Sequence, residues 1–152
     1  MHIKGGDMFT WSHFAEVSTA ASAEQVWRAW SDPSTWPRWD VGLEAVVLDG
    51  PFAAGTRGRL TPKGGPAVRF VILTSQAGQG FHDRSFLPLT HLDFIHHYQP
   101  AGVDGTSARI SHRVEMRGLL TPLFSRVIGR DIARTLPDTL RALAKVAEGG
   151  QP

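Results

Sequence analysis

The chain has 152 residues, of which 41% are hydrophobic and 20% charged, with a formal charge of +2 and no cysteine. That composition suits a soluble globular chain able to bury roughly 70% of its unfolded surface, and it excludes disulfides and thiolate chemistry. No apolar run approaches the ~18 residues of a membrane span, the N-terminus lacks a signal-peptide core, and the basic residues are scattered rather than gathered into a nucleic-acid-binding stripe. We therefore expect no nucleic-acid partner, no membrane insertion and a cytoplasmic location.

In chain order, residues 1–8 carry Gly5-Gly6 and read as a loose lead-in to one domain over residues 9–150. Thr10 to Ser18 alternates, with Trp11, His13, Ala15 and Val17 on one face of a first strand. Ser22 followed by Gln25 forms a capping box ahead of a short amphipathic helix containing Val26, Trp27 and Trp30. Asp32-Pro33 stops that helix. Asp32 can cap again, giving a second small helix over Ser34–Trp36 that Pro37 ends.

From Leu43 the punctuation becomes that of an antiparallel meander. Strands are expected over Leu43–Leu48, Thr56–Leu60, Ala67–Thr74, Phe81–Leu87, His91–Tyr98 and Thr106–Met116, separated by Gly- and Pro-containing turns. The stretch from Gly118 to Glu148 reads as a long helix. Leu120, Phe124, Ile128, Ile132, Leu136, Leu140 and Leu143 recur at three- and four-residue steps along it. Pro137 should kink or break this helix near Arg134–Pro137, since proline removes a hydrogen bond and clashes with the preceding turn. The fold class is thus α+β: a seven-stranded curved antiparallel sheet wrapped around a long C-terminal helix, with two short helices between the first and second strands.

Several motifs punctuate this order: Ser22-x-x-x-Val26-Trp27, Ser31-Asp32-Pro33, Trp36-Pro37-x-Trp39-Asp40 and Gly50-x-x-x-x-Gly55-Thr56. Thr106-x-Ala108-x-Ile110-x-His112, Gly118 and Leu136-Pro137 complete the set. In these features the chain resembles the START-like, helix-grip superfamily, specifically its polyketide cyclase/dehydrase-like branch. The resemblance implies a cavity between sheet and long helix that holds a hydrophobic or aromatic ligand. It implies no particular chemistry, because members include cyclases, lipid carriers and hormone receptors.

It also implies a strand order in which the first strand lies beside the seventh and the seventh beside the sixth. His13, His112 and His96 would then stand on adjacent strands, on faces whose other members are apolar. Such imidazoles are candidate general acids or bases, with satisfied core histidines as the plainer reading. His91 and His97 should point the other way and be exposed. Three histidines match a zinc site by number, but nothing sets their spacing and no carboxylate is placed behind them; no metal and no cofactor are expected. The candidate ligand-binding set is Phe70, Ile72, Phe94, Tyr98, Ile110, Val114, Phe124, Ile128 and Ile132, with Trp36 and Trp39 serving either as a gate or as packing. On strand five the alternation allows either Asp83 with Ser85 or Arg84 with His82 to face inward.

No nucleophile elbow, phosphate-cradling glycine loop, dinucleotide fingerprint or His-Glu-x-x-His is present. The expected function is carriage or binding of a small hydrophobic ligand. The alternative is a polyketide cyclase/dehydrase-type enzyme using a cavity histidine. Homodimerisation is left open.

Overall fold

A computed structural model of the chain describes residues 8–150. Most of the lead-in expected over residues 1–8 falls outside the described residues. Seven strands form one antiparallel sheet: β1 (Thr10–Thr19), β2 (Leu43–Leu48), β3 (Arg57–Pro62), β4 (Val68–Gln76), β5 (Gly80–Leu87), β6 (Thr90–Gln99) and β7 (Ala108–Gly118). Their spatial order is β1-β7-β6-β5-β4-β3-β2. This meander leaves only β1 to cross over, which brings it against β7. Alternate side chains therefore line one concave apolar face, and the helices cover it.

Helix α1 (Ala23–Trp30) carries the expected capping box: the Ser22 side chain accepts from Gln25 N–H and the Gln25 side chain accepts from Ser22 N–H. The second short element is a 3-10 helix over Pro33–Arg38. Pro37 lies inside it rather than ending it. Asp32 also does not cap it as expected; its carboxylate accepts from the Ser34 hydroxyl at 2.6 Å, while its backbone carbonyl takes Thr35 N–H.

The C-terminal helical region has three parts: α2 (Thr121–Phe124), a π-helical turn at Ser125–Gly129, and α3 (Arg130–Ala147). The irregularity lies about ten residues before the position that Pro137 suggested, and α3 runs through Pro137 without interruption. Proline removes one hydrogen bond, but Leu136, Leu140 and Leu143 on the same segment are all buried against the sheet. At ~1.5–3 kcal/mol each, their burial outweighs the local defect. Gly129 sits where the π turn crosses Trp11; an added Cβ would lie 3.1 Å from the indole. Gly118, with φ of 134°, ends β7 where a Cβ would lie 2.3 Å from the Leu89 carbonyl. Only glycine allows the chain to turn there into α2.

The interior divides into two apolar clusters. One gathers Trp30, Trp36, Phe70, Ile72, Tyr98, Ile110, Leu140 and Leu143; the other gathers Leu92, Val114, Met116 and Leu136, with Phe94, Phe124 and Ile132 packed on them. Ala15 packs against both.

Candidate functional site

The boundary between the two clusters is a row of side chains running across the sheet. Phe81 of β5 is opposite His96 of β6, His96 is opposite His112 of β7, and His112 is opposite Ala15 of β1. On β5 the inward set is Phe81, Asp83 and Ser85, each 2% exposed, so Asp83 rather than Arg84 faces the interior. The even-numbered residues of β6 and β7 from Leu92 to Tyr98 and from Ala108 to Met116 share that face, and this carries His96 and His112 inward.

Around His112 the contacts are aromatic. Its ring centroid is 4.3 Å from that of His96, 6.1 Å from Trp30 and 6.1 Å from Trp39. His96 stacks on Phe81 at 3.8 Å. Its Nδ1 lies 3.3 Å from the Phe81 carbonyl. A carbonyl only accepts, so this contact places the proton on Nδ1 and leaves Nε2 as the acceptor. The Asp83 carboxyl is 3.7 Å from the same Nδ1, too far for a hydrogen bond.

Several polar atoms here are buried without a partner among the described residues: His112 Nε2, Asp83 Oδ1, Ser85 Oγ, and the indole N–H groups of Trp30 and Trp39. Burial pushes the His112 imidazole down to about 3, so it is neutral. Burial, reinforced by the neighbouring His112, likewise holds His96 well below the usual histidine range. Burial, with Asp93 adding to it, raises the Asp83 carboxyl well above its ordinary value. Asp83 and His96 are therefore an acid and a neutral base side by side, not an ion pair.

His13 does not join this group. It is half-buried opposite Val114, one step along the sheet, and stacks on Trp11 at 6.4 Å. Of the remaining candidate residues, Phe70, Ile72, Ile110 and Val114 are at most 1% exposed and closely packed. Tyr98 is buried, its hydroxyl donating to the Ala21 carbonyl at 2.8 Å. Trp36 and Trp39 are buried, with the Trp36 indole N–H donating to the Trp30 carbonyl at 2.9 Å, which ties the 3-10 helix to α1. Phe94 of β6, Phe124 of α2, Ile128 of the π turn and Ile132 of α3 are only half-buried and mark the looser, more exposed end of the interior. Two surface clefts, of about 360 and 230 Å³, lie elsewhere; neither is lined by His96 or His112. Trp30 and Trp39 stand over the histidine row, each ring centroid 6.1 Å from that of His112.

Sequence reasoning did not place Trp30 and Asp83 in the site. Trp30 reads as ordinary core, and the alternation of β5 is the same for either phase; only pairing with β4 and β6 selects it. The outer face holds a contrasting group. Asp93 accepts from Arg84 Nε and Nη2 at 2.8 and 2.9 Å and contacts His82 at 2.9 Å and His91 at 3.2 Å. His91 is therefore half-buried and bound to Asp93, not simply exposed as expected; His97 is exposed.

A family model described as polyketide cyclase / dehydrase and lipid transport matches residues 11–148. The chain belongs to that family. Among solved structures, Ara h 8.0201 superposes with a TM-score of 0.70 at 12% identity, covering 93% of this chain and 99% of that one. Norcoclaurine synthase from Thalictrum flavum, in complex with dopamine and hydroxybenzaldehyde, gives a TM-score of 0.67 at 19% identity over 94% of this chain and 89% of its own. The di-domain ARO/CYC StfQ of the steffimycin biosynthetic pathway gives 0.70 at 15% identity over 93% of this chain, which spans 52% of that protein. These likenesses establish a shared helix-grip fold. No curated protein matches the chain by sequence. Among the described residues, no helix is long and apolar enough to cross a membrane.

Proposed function

We propose that the chain binds a small, largely apolar molecule bearing a carbonyl or hydroxyl oxygen, held between the concave face of the sheet and the helices, and that it acts as a carrier or binding domain. The observation that carries this reading is the set of unpartnered buried polar atoms about His112: its own Nε2, Asp83 Oδ1 and the two indole N–H groups. An unsatisfied buried polar group costs ~1–3 kcal/mol, and a domain is stable by only ~5–15 kcal/mol in total. Several such groups in one place are a large expense unless a bound molecule completes them. An oxygen lodged there accepts from an indole N–H and, as a hydroxyl, donates to His112 Nε2. Dopamine and hydroxybenzaldehyde, bound by the structurally similar norcoclaurine synthase, are aromatic molecules of this kind. Entry runs through the looser end at Phe94, Phe124, Ile128 and Ile132.

A second reading, a polyketide cyclase/dehydrase-type enzyme, draws on the carboxyl of Asp83 3.7 Å from His96. Proton abstraction works best when the base titrates near the working pH, and His112 at about 3 is far below it. The binding reading is accordingly preferred, and Asp83, whose carboxyl is raised, is the better acid–base candidate should turnover be found.

The test uses 2-naphthol and naphthalene, which differ only by the hydroxyl. 2-Naphthol should raise the melting temperature and bind saturably, naphthalene should bind about tenfold more weakly, and His112→Leu should remove the difference. Equal affinity for the two would overturn the role of the polar cluster, and failure of both to bind would overturn the ligand-binding reading itself.

A further inference from the structure

The outer face of the sheet carries a second feature, bordering the Asp93 network, since Phe86 of β5 is the cross-strand partner of His91. Arg57 and Arg59 of β3, Arg69 of β4, Phe86 of β5 and the carboxylate residue Asp49 line the surface cleft of about 360 Å³. Arg59 and Arg69 are direct cross-strand partners. Like charges facing each other across an antiparallel pair destabilise it. On this face Arg84 pairs with Asp93 and Arg109 with Glu16, and Arg113 lies over the Phe14 ring, while among the described residues no carboxylate, Asp49 included, lies within ion-pair distance of Arg57, Arg59 or Arg69. Phe86 is 45% exposed beside them, and Val47, the cross-strand partner of Arg59, is 51% exposed, so apolar surface borders the arginines. The sheet thus holds three guanidinium groups against their own repulsion around a concave, partly aromatic surface.

We propose that this cleft binds the phosphate group of a small ligand, gripped by Arg57, Arg59 and Arg69, with Phe86 supporting the ligand's apolar part. The planar guanidinium fork matches phosphate oxygens in pairs, and a doubly charged anion turns the Arg59–Arg69 repulsion into shared attraction. The site is on the opposite side of the sheet from the histidine row, so it stands or falls independently of the interior ligand.

Inorganic pyrophosphate is the probe, titrated into the full chain labelled with ¹⁵N-arginine while sodium chloride keeps the ionic strength constant. Saturable shifts are expected at the side-chain N–H signals of Arg57, Arg59 and Arg69, with that of the distant Arg109 unmoved. The double variant Arg59→Gln/Arg69→Gln should bind about tenfold more weakly or worse, yet melt no lower than the wild type, because its loss relieves repulsion. Vesicles of phosphatidylcholine with and without phosphatidic acid separate the two sources of phosphate. Arginine-dependent sedimentation with the acidic vesicles assigns a lipid headgroup, and pyrophosphate binding alone assigns a soluble ligand. Shifts spread evenly over all arginines, or a double variant that binds pyrophosphate as well as the wild type, would overturn the site.

Discussion

Two aspartates ten residues apart, on neighbouring strands and on opposite faces of the sheet, are both buried, Asp83 at 2% and Asp93 at 5% exposure. Asp93 is surrounded by Arg84, His82 and His91. Burial works against its charge, but the hydrogen bonds from Arg84 and His82 prevail and hold its carboxyl below the usual range. Asp83 has one oxygen without any partner, and burial drives its carboxyl the other way. The outer face is a completed network that stabilises the sheet as it stands. The inner face is incomplete, and the missing partners are what point to a ligand. Burial alone separates structural from functional polar groups poorly; the count of satisfied atoms separates them well.

The largest expected effect comes from acid. His112 titrates near 3 when folded and His96 well below its ordinary value, whereas unfolded histidines titrate near 6.5. Below pH ~6.5 the unfolded state therefore binds protons that the native state does not, and stability falls by ~1.4 kcal/mol per pH unit for each histidine until the folded value is reached. Asp83 opposes this in part: its folded value is raised, so the native state keeps a proton above pH ~4 that the unfolded chain loses, and that contribution grows as pH falls. Asp93, lowered when folded, withdraws its support only under stronger acid, as pH falls through its folded value. Urea unfolding at pH 7 and pH 5 should differ by ~2–4 kcal/mol, and His112→Leu should remove roughly half of that slope. An unchanged slope in the variant would mean that His112 titrates normally and is not enclosed.

Next in size is Asp93→Ala, expected to cost ~2–3 kcal/mol because it strands Arg84 and His82 without their acceptor. Chemical denaturation at pH 7 reads this directly. A loss under ~0.5 kcal/mol would put the outer network on the same footing as an ordinary surface ion pair. Ile128→Ala, at the looser end of the interior, should cost under ~1 kcal/mol, against the ~2–5 kcal/mol usual for a fully packed aliphatic. A full-sized penalty would mean that this end is as tightly filled as the region around Ile72.

The smallest effect sharpens the contrast most. Asp83→Asn keeps the shape and removes the charge from a carboxyl with one unpartnered oxygen, so stability at pH 7 should change by less than ~0.5 kcal/mol or rise. Parallel melts of Asp83→Asn and Asp93→Asn compare the two faces in one experiment. Equal destabilisation by both would show that Asp83 is structurally satisfied and would remove the asymmetry on which the functional reading rests.

Much of this was legible in the amino-acid order. Turn residues at regular spacing mark six strands of the meander, period-two alternation assigns His96 and His112 to faces otherwise apolar, and Ser22 with Gln25 announces α1, because each signal depends only on residues close in sequence. Local rules went astray at Pro137, where burial of Leu136, Leu140 and Leu143 carries α3 through a residue that disfavours helix, while the irregularity settled instead at the π turn, where Gly129 crosses Trp11. They were silent on strand five, since alternation gives two phases of equal merit and only pairing with β4 and β6 turns Asp83 inward. They also gave no measure of whether the interior is open. Sequence by itself determined the elements, their order and the family. The tertiary structure alone decided which polar atoms meet and which of them go unpartnered, because satisfaction of a buried group depends on neighbours brought together across the sheet from distant parts of the chain.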